Sequence, residues 1–185
     1  MNCFLKEKYR DEIVPLIMKD YGLKSRMSVP FLEKICVNQG IGYASGNSRL
    51  ITQIADCLSN ICGQKATVVK SKKSISNFKL RAGADVGCMV SLRGDRMYHF
   101  LYKVISIALP RVRDFSGVSR SGFDSRGNYN LGVRDQLIFP EVGVCDIEKT
   151  MGMNISIVIR NNCKRIDSKE LSYKLLEYFG MPFKK

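Results

Sequence analysis

The stretch Gln64–Arg93, QKATVVKSKKSISNFKLRAGADVGCMVSLR, decides how this chain is read. Its two ends alternate with the two-residue period of a half-buried strand. Ala66, Val68 and Lys70 oppose Thr67, Val69 and Ser71 in the first run; Val86, Cys88, Val90 and Leu92 oppose Gly87, Met89, Ser91 and Arg93 in the second. From Gln64 to Arg81 there are six basic residues, Lys65, Lys70, Lys72, Lys73, Lys79 and Arg81, and no acidic one. The expected structure is a strand opened by Gln64, a long basic loop and a returning strand. Structureless loops beyond about 12 residues are uncommon in compact domains and are usually functional or disordered. This loop therefore asks for a partner, and a polyanionic one.

Composition points the same way. Lys and Arg number 30 against 17 Asp and Glu in 185 residues, a net charge of +13. That is the electrostatic footprint of a nucleic-acid binder, although a membrane-surface protein or a merely solubilised basic protein shares it. A hydrophobic content of 45% argues against general disorder. The length suits a single domain over 1–185, with the loop at about 72–85 protruding from it. No run approaches the ~20 apolar residues of a membrane span, and the charged start MNCFLKEKYRDEI does not read as a signal peptide. The expectation is a cytoplasmic protein. Its seven cysteines are scattered through apolar runs, where they pack as small hydrophobes. Cys57 and Cys62 form the only close pair and His99 is the only histidine, so no metal or other cofactor is expected.

Outward from the basic stretch, the chain alternates helices and strands. Leu5, Tyr9, Ile13, Leu16 and Ile17 predict a helix from about Asn2 to Tyr21, kinked or divided at Pro15. LEKICVNQ, from Leu32 to Gln39, predicts a strand with Ile35 and Val37 on one face and Lys34, Cys36 and Asn38 on the other. Leu50, Ile51, Ile54, Cys57, Leu58 and Ile61 form a helical stripe from about Asn47 to Cys62. A stronger stripe, Met97 to Leu109, starts from Asp95 as N-cap and is expected to stop at Pro110, with His99 on its polar side. Asn128 to Val133 and Gln136 to Phe139 read as short strands, Met151 to Ile159 as the clearest half-buried strand, and Asp167 as the cap of a last helix ended by Gly180. Together they predict an α+β fold: a mainly antiparallel sheet, helices packed on one face, the other face partly open, and the long basic loop between two strands.

The open face offers Asn38, Gln64 and Ser91, whose amides and hydroxyl can read ribose hydroxyls and base edges while lysines and arginines hold phosphates. A second basic region interleaves Arg111, Arg113, Arg120, Arg126 and Arg134 with Phe115, Phe123 and Tyr129. Its aromatics can stack on unpaired bases or plug a loop-rich core, and both readings stand. Asp124 and Asp135 are isolated acids expected to orient neighbouring arginines. Gly40-Ile41-Gly42-Tyr43-Ala44-Ser45-Gly46 falls one residue outside the dinucleotide-binding spacing and lacks its acidic partner. With no P-loop, nucleophile elbow or histidine pair, the chain is not expected to be an enzyme. The alternative is a basic RNA-processing or nucleotide-dependent enzyme built around the Gly40–Gly46 turn.

Several segments resemble one family. Asn38-Gln39-Gly40-Ile41-Gly42, GQK at Gly63–Lys65, KSISNFKLRAG at Lys73–Gly83, SLRGDRM at Ser91–Met97, LPRVRDFSG at Leu109–Gly117, FDSRGNYNLGV at Phe123–Val133, QLIFPE at Gln136–Glu141 and the terminal FGMPFKK are similar to the bacterial-type ribosomal protein L-five of the large subunit. The resemblance spans nearly the whole chain in order. It implies a protein of the central protuberance that binds 5S rRNA, joins it to 23S rRNA, sits among neighbouring large-subunit proteins and bridges to a small-subunit head protein. It assigns 5S rRNA contact to the face of Asn38, Gln64 and Ser91, with Lys65, Lys70 and Arg93 beside it. The loop bearing Lys72, Lys73, Ser76, Asn77, Phe78, Lys79 and Arg81 would face P-site tRNA, and Arg111, Arg113 and Arg126 are further candidates for RNA contact. Ala66 stands where the family usually has proline, Val69 and Ser91 replace threonines, and Lys164-Arg165 occupies a segment normally neutral to acidic.

Overall fold

The computed structural model describes residues 3–42, 48–78, 80–144, 151–163 and 166–184. It is an α+β fold with an antiparallel five-stranded sheet in the order β2-β3-β1-β5-β4 and helices packed alongside it. The strands are β1 (Phe31–Gly40), β2 (Thr67–Lys70), β3 (Asp85–Leu92), β4 (Tyr129–Val133) and β5 (Met153–Arg160). The α-helices are α1 (Phe4–Lys8), α2 (Val14–Asp20), α3 (Ser48–Cys62), α4 (Asp95–Lys103) and α5 (Ser168–Tyr178). The chain divides into two compact units: Met1–Ile35, Arg93–Leu131 and Ser156–Lys185 in the first, Cys36–Leu92 and Gly132–Ile155 in the second.

In the first unit, α1 runs into α2 through a π-turn, Tyr9–Ile13. Proline has no N–H and its ring crowds the carbonyl four residues back. The wider turn ends just before Pro15, so the helix passes the proline rather than stopping there. The device recurs after α4, where a π-turn Val104–Ala108 precedes a 3-10 turn Leu109–Arg111 that contains Pro110. Pro110 therefore sits inside the last helical turn, and the helix ends one residue beyond it. The N-cap of α4 is Gly94 at φ +60°, not Asp95. Asp95 lies in the first turn and pairs with Lys6 at 2.6 Å, which holds its carboxyl below the usual range. Met97, Phe100, Leu101 and Val104 are buried with Leu5, Ile13 and Ile17, and Leu171, Leu175 and Leu176 bury the inner face of α5. Asp167 caps α5, accepting a hydrogen bond from the Lys169 N–H.

In the second unit, α3 packs on β3. Ile51, Ile54, Cys57, Leu58 and Ile61 are buried, whereas Leu50 is 39% exposed and falls outside the stripe. Strands β2 and β3 pair antiparallel, Thr67 against Met89 and Val68 against Cys88. Strand β2 is shorter than the alternation suggests: Gln64, Lys65 and Ala66 precede it. The segment Gln136–Phe139 is no strand. It forms a 3-10 turn, Gln136–Ile138, closed by the Phe139 N–H donating to the Gln136 carbonyl at 3.1 Å, while the Gln136 N–H donates to the Met151 carbonyl at 3.0 Å and its side chain turns inward. There Gln39 Nε2 donates to Gln136 Oε1 at 2.7 Å, with both residues 1% exposed. Most of the Gly40–Gly46 turn, and Lys164-Arg165, lie outside the described residues. What is described of that turn extends the sheet: the Ile41 N–H donates to the Val86 carbonyl at 2.8 Å.

Candidate nucleic-acid interface

The site begins with strand register. The Ile41–Val86 bond and a contact of 3.5 Å between Cys36 Sγ and Ser91 Oγ run β1 and β3 in opposite directions and set Asn38 opposite Met89. Met89 in turn pairs with Thr67. Asn38, Met89 and Thr67 thus form one exposed row across three strands, with Ser91 two positions along β3 on the same face. The other face of β3 presents Cys88, Val90 and Leu92, all buried. Burial pushes the Cys88 thiol above its ordinary range, which leaves it an inert packing group.

Of the three polar residues expected here, Asn38 is exposed, and Gln64 and Ser91 are partly buried and joined to each other. Gln64 Nε2 donates to the Ser91 carbonyl at 3.2 Å, so this amide fixes the backbone of β3 and leaves its oxygen as an acceptor. Sequence reasoning missed Met89, 42% exposed, and Thr67; the signal was there, since Met89 shares the parity of Ser91. Val69, 37% exposed, adds a second apolar side chain next to the polar row. A surface of amide, hydroxyl and thioether groups can receive ribose and base edges without a charge to repel them.

The loop beyond β2 is more ordered than its composition suggests. The Ser71 N–H donates to the Ala84 carbonyl at 2.8 Å and the Gly83 N–H returns to the Ser71 carbonyl at 2.9 Å. Further out, Ile75 and Leu80 exchange backbone hydrogen bonds of 2.8 and 3.1 Å around a 3-10 turn, Ser76–Phe78. The loop is a second, narrower hairpin whose side chains point to solvent. Lys72, Lys73, Ser76, Asn77 and Arg81 are exposed, and Phe78 is 78% exposed at the tip. Lys79 lies outside the described residues. Lys65, Lys70, Lys72, Lys73 and Arg81 have no carboxylate within ion-pair distance among the described residues, so their charge faces outward unneutralised.

The remaining candidates lie in the first unit. Arg93 is 3.7 Å from Glu33 in an exposed pair of little energetic weight. Arg111, Arg113 and Arg126 are exposed. Phe123 and Tyr129 serve packing: they form an aromatic cluster with Tyr173 and Phe183, and the Arg120 guanidinium stands 4.9 Å over the Tyr173 ring. Among the described residues Asp124 steers no arginine side chain. Burial pushes its carboxyl up, but hydrogen bonds from the Asn128 side chain and the Asn128, Arg126 and Gly127 backbone outweigh this and hold it below the usual range. No described helix is long and apolar enough to cross a membrane.

A polar sheet face beside an unneutralised cationic hairpin is the surface of a binding protein. Comparison with known proteins gives that class a family. Residues 25–81 match the family model described as Ribosomal protein L5, and residues 85–183 match the ribosomal L5P family C-terminus. The chain is 51% identical over 185 residues to the large ribosomal subunit protein uL5 of Acholeplasma laidlawii, covering 100% of both chains. It is 49% identical over 185 residues to that of Syntrophotalea carbinolica, covering 100% of this chain and 98% of the relative. With the protein of Geobacter sulfurreducens it shares 51% identity over 180 residues, 97% of this chain and 98% of the relative. The chain belongs to the L5 family of ribosomal proteins. It is a ribosomal, rRNA-binding component of translation and not an enzyme, which overturns the alternative built on the Gly40–Gly46 turn.

Proposed function

We propose that this chain binds 5S rRNA in the large ribosomal subunit through the sheet face of Asn38, Gln64 and Ser91, with Lys65, Lys70 and Arg93 holding flanking phosphates. The observation that carries this is the exposed Asn38–Met89–Thr67 row, with the Gln64–Ser91 bond at its end and a cationic hairpin beyond it. In this reading the protein links 5S to 23S rRNA in the central protuberance and works in the cytoplasm. The hairpin of residues 72–85 reaches toward P-site tRNA, its shape held by its own backbone bonds before RNA arrives. Another edge meets a small-subunit head protein, and neighbouring large-subunit proteins flank the rest.

The test is a titration of bacterial 5S rRNA against an unrelated RNA of equal length across salt, for wild type and for Asn38→Ala with Gln64→Ala. The expected result is a preference for 5S rRNA of orders of magnitude, eroded in the double variant with most of the salt slope retained, since cations supply the slope and the amides the preference. Equal binding of both RNAs with one steep salt dependence would remove the sheet face as the reader.

A further inference from the structure

The first unit contains a cavity of about 580 Å³ that the sheet-face reading does not use. Tyr9, Tyr98, Arg10, Arg26, Arg160 and Asn162 line it. We propose that this cavity is a second RNA site, taking one unpaired nucleotide of a single-stranded segment between its aromatic floor and its arginine rim. The proposal rests on the reading that this chain acts on RNA.

The floor is built from packed aromatic side chains. The Tyr9 ring stacks on Phe179 at 6.0 Å and 17° between planes, and its hydroxyl donates to the Pro30 carbonyl at 3.0 Å. Tyr98 leans on the same Phe179 at 6.2 Å. It is only 7% exposed, yet its hydroxyl has no hydrogen-bond partner among the described residues and is left to the cavity. Burial raises Tyr9 and Tyr98 to about 12, so both are neutral hydrogen-bond donors at physiological pH. The π-turn Tyr9–Ile13 places Tyr9 and Arg10, successive residues, on the cavity wall.

The rim is cationic. Among the described residues no Asp or Glu lines the cavity, and of its four cations only Lys6 has an acidic partner there, Asp95 at 2.6 Å. Arg10, Arg26 and Arg160 have none among the described residues; Arg26 Nη2 donates only to the Arg10 carbonyl, at 3.4 Å. Asn162 donates to the Met27 carbonyl at 3.1 Å and leaves its amide oxygen as an acceptor. The volume lies within the roughly 300–1,000 Å³ of small-ligand sites. Guanidinium planes stack on bases and fork onto phosphates, and a buried hydroxyl with an amide oxygen can read a base edge. An acidic peptide would answer the charge alone and leave the aromatic floor and Tyr98 unused.

The experiment follows the anisotropy of a fluorescein-labelled single-stranded tetranucleotide on the full chain. It compares wild type, Arg10→Gln with Arg160→Gln, and Tyr98→Phe, with polyglutamate of equal charge as competitor and 5S rRNA titrated in parallel. The double variant should weaken tetranucleotide binding about tenfold or more and flatten the salt slope by roughly 1.4, the single-strand value for two phosphates. Tyr98→Phe should weaken it several-fold with an unchanged Tm, and polyglutamate should compete at least about tenfold less well than unlabelled RNA. Unchanged affinity in both variants, or polyglutamate competing as well as RNA, would overturn the proposal. Tetranucleotide binding with no 5S preference would leave this site standing and remove the sheet-face reading; 5S preference without variant-sensitive tetranucleotide binding would do the reverse.

Discussion

Gly87→Ala tests whether the seam between β1 and β3 is as tight as the register requires. A Cβ at Gly87 would stand 2.7 Å from the Gln39 carbonyl oxygen and 3.5 Å from the Gly40 Cα, both backbone atoms that no rotamer can move aside. Reaching the 3.4 Å of ordinary contact needs the strands to part by roughly 0.7 Å. Parting them that far stretches the neighbouring Ile41–Val86 hydrogen bond from 2.8 Å past the usual limit. Overpacking of this kind costs about 1–3 kcal/mol and the weakened hydrogen bond about 1 more. The lower chain entropy of alanine offsets about 0.4–1 kcal/mol. The net loss is about 1–3.6 kcal/mol, a fall in Tm of roughly 2–14 °C for a chain of this size. Gly132→Ala is the control. It too sits in a strand, but its Cβ would meet only the Asn154 side-chain oxygen, at 3.7 Å. Thermal melts by circular dichroism should show a drop for Gly87→Ala and none for Gly132→Ala, and 5S rRNA affinity should fall with the first alone. A Gly87→Ala Tm within a degree of wild type, or an equal loss in both variants, would refute the reasoning.

Other outcomes can be checked in the same way. Replacing Lys65, Lys70 and Arg93 by Gln removes up to three phosphate contacts and should lower the salt slope of 5S rRNA binding by as much as about 2.7, read from titrations between 50 and 200 mM salt. Gln39→Leu or Gln136→Leu alone strands a buried polar partner and should cost about 1–3 kcal/mol, whereas the double variant should recover most of that loss in urea melts. Asp124→Ala should loosen the 124–128 turn, an effect seen as faster amide exchange at Arg126 and Asn128. Because the folded Asp124 carboxyl is held below its unfolded value, its stabilisation is full above the unfolded pKa near 3.9 and is lost as pH falls through the folded one. Tyr129 runs the other way. Burial raises it from 10.0 to about 12, so its contribution is full below pH 10 and lost between pH 10 and 12, and Tyr129→Phe should flatten that part of the stability profile.

Much of this protein follows from local chemistry. The alternation of Val86 to Arg93, the stripe of α3, the Asp167 cap and the excess of Lys and Arg are each written in a few adjacent residues, so strand, helix and polyanion partner could be read without coordinates. Order and spacing of the Asn38–Gly42, Lys73–Gly83 and Phe123–Val133 motifs carried the family as well. What the sequence could not express is what a residue meets far along the chain. Gln136 reads as strand until Gln39, ninety-seven positions away, takes its side chain and Met151 takes its N–H. Pro15 reads as a kink or division and Pro110 as a stop, and nothing local announces the π-turn that precedes each one. The basic loop reads as a long connection without structure of its own until Ile75 and Leu80 bond across it. Tyr98 reads as one more packing residue at helical spacing from Leu101 and Ile105; it becomes a candidate for binding only because α4, the π-turn at Tyr9 and the end of β5 bring side chains around one cavity. Periodicity is a property of neighbours in sequence, and so it specified the elements and the sign of their charge. Register, hydrogen-bond partners and cavities are properties of neighbours in space, and only the tertiary structure decided them.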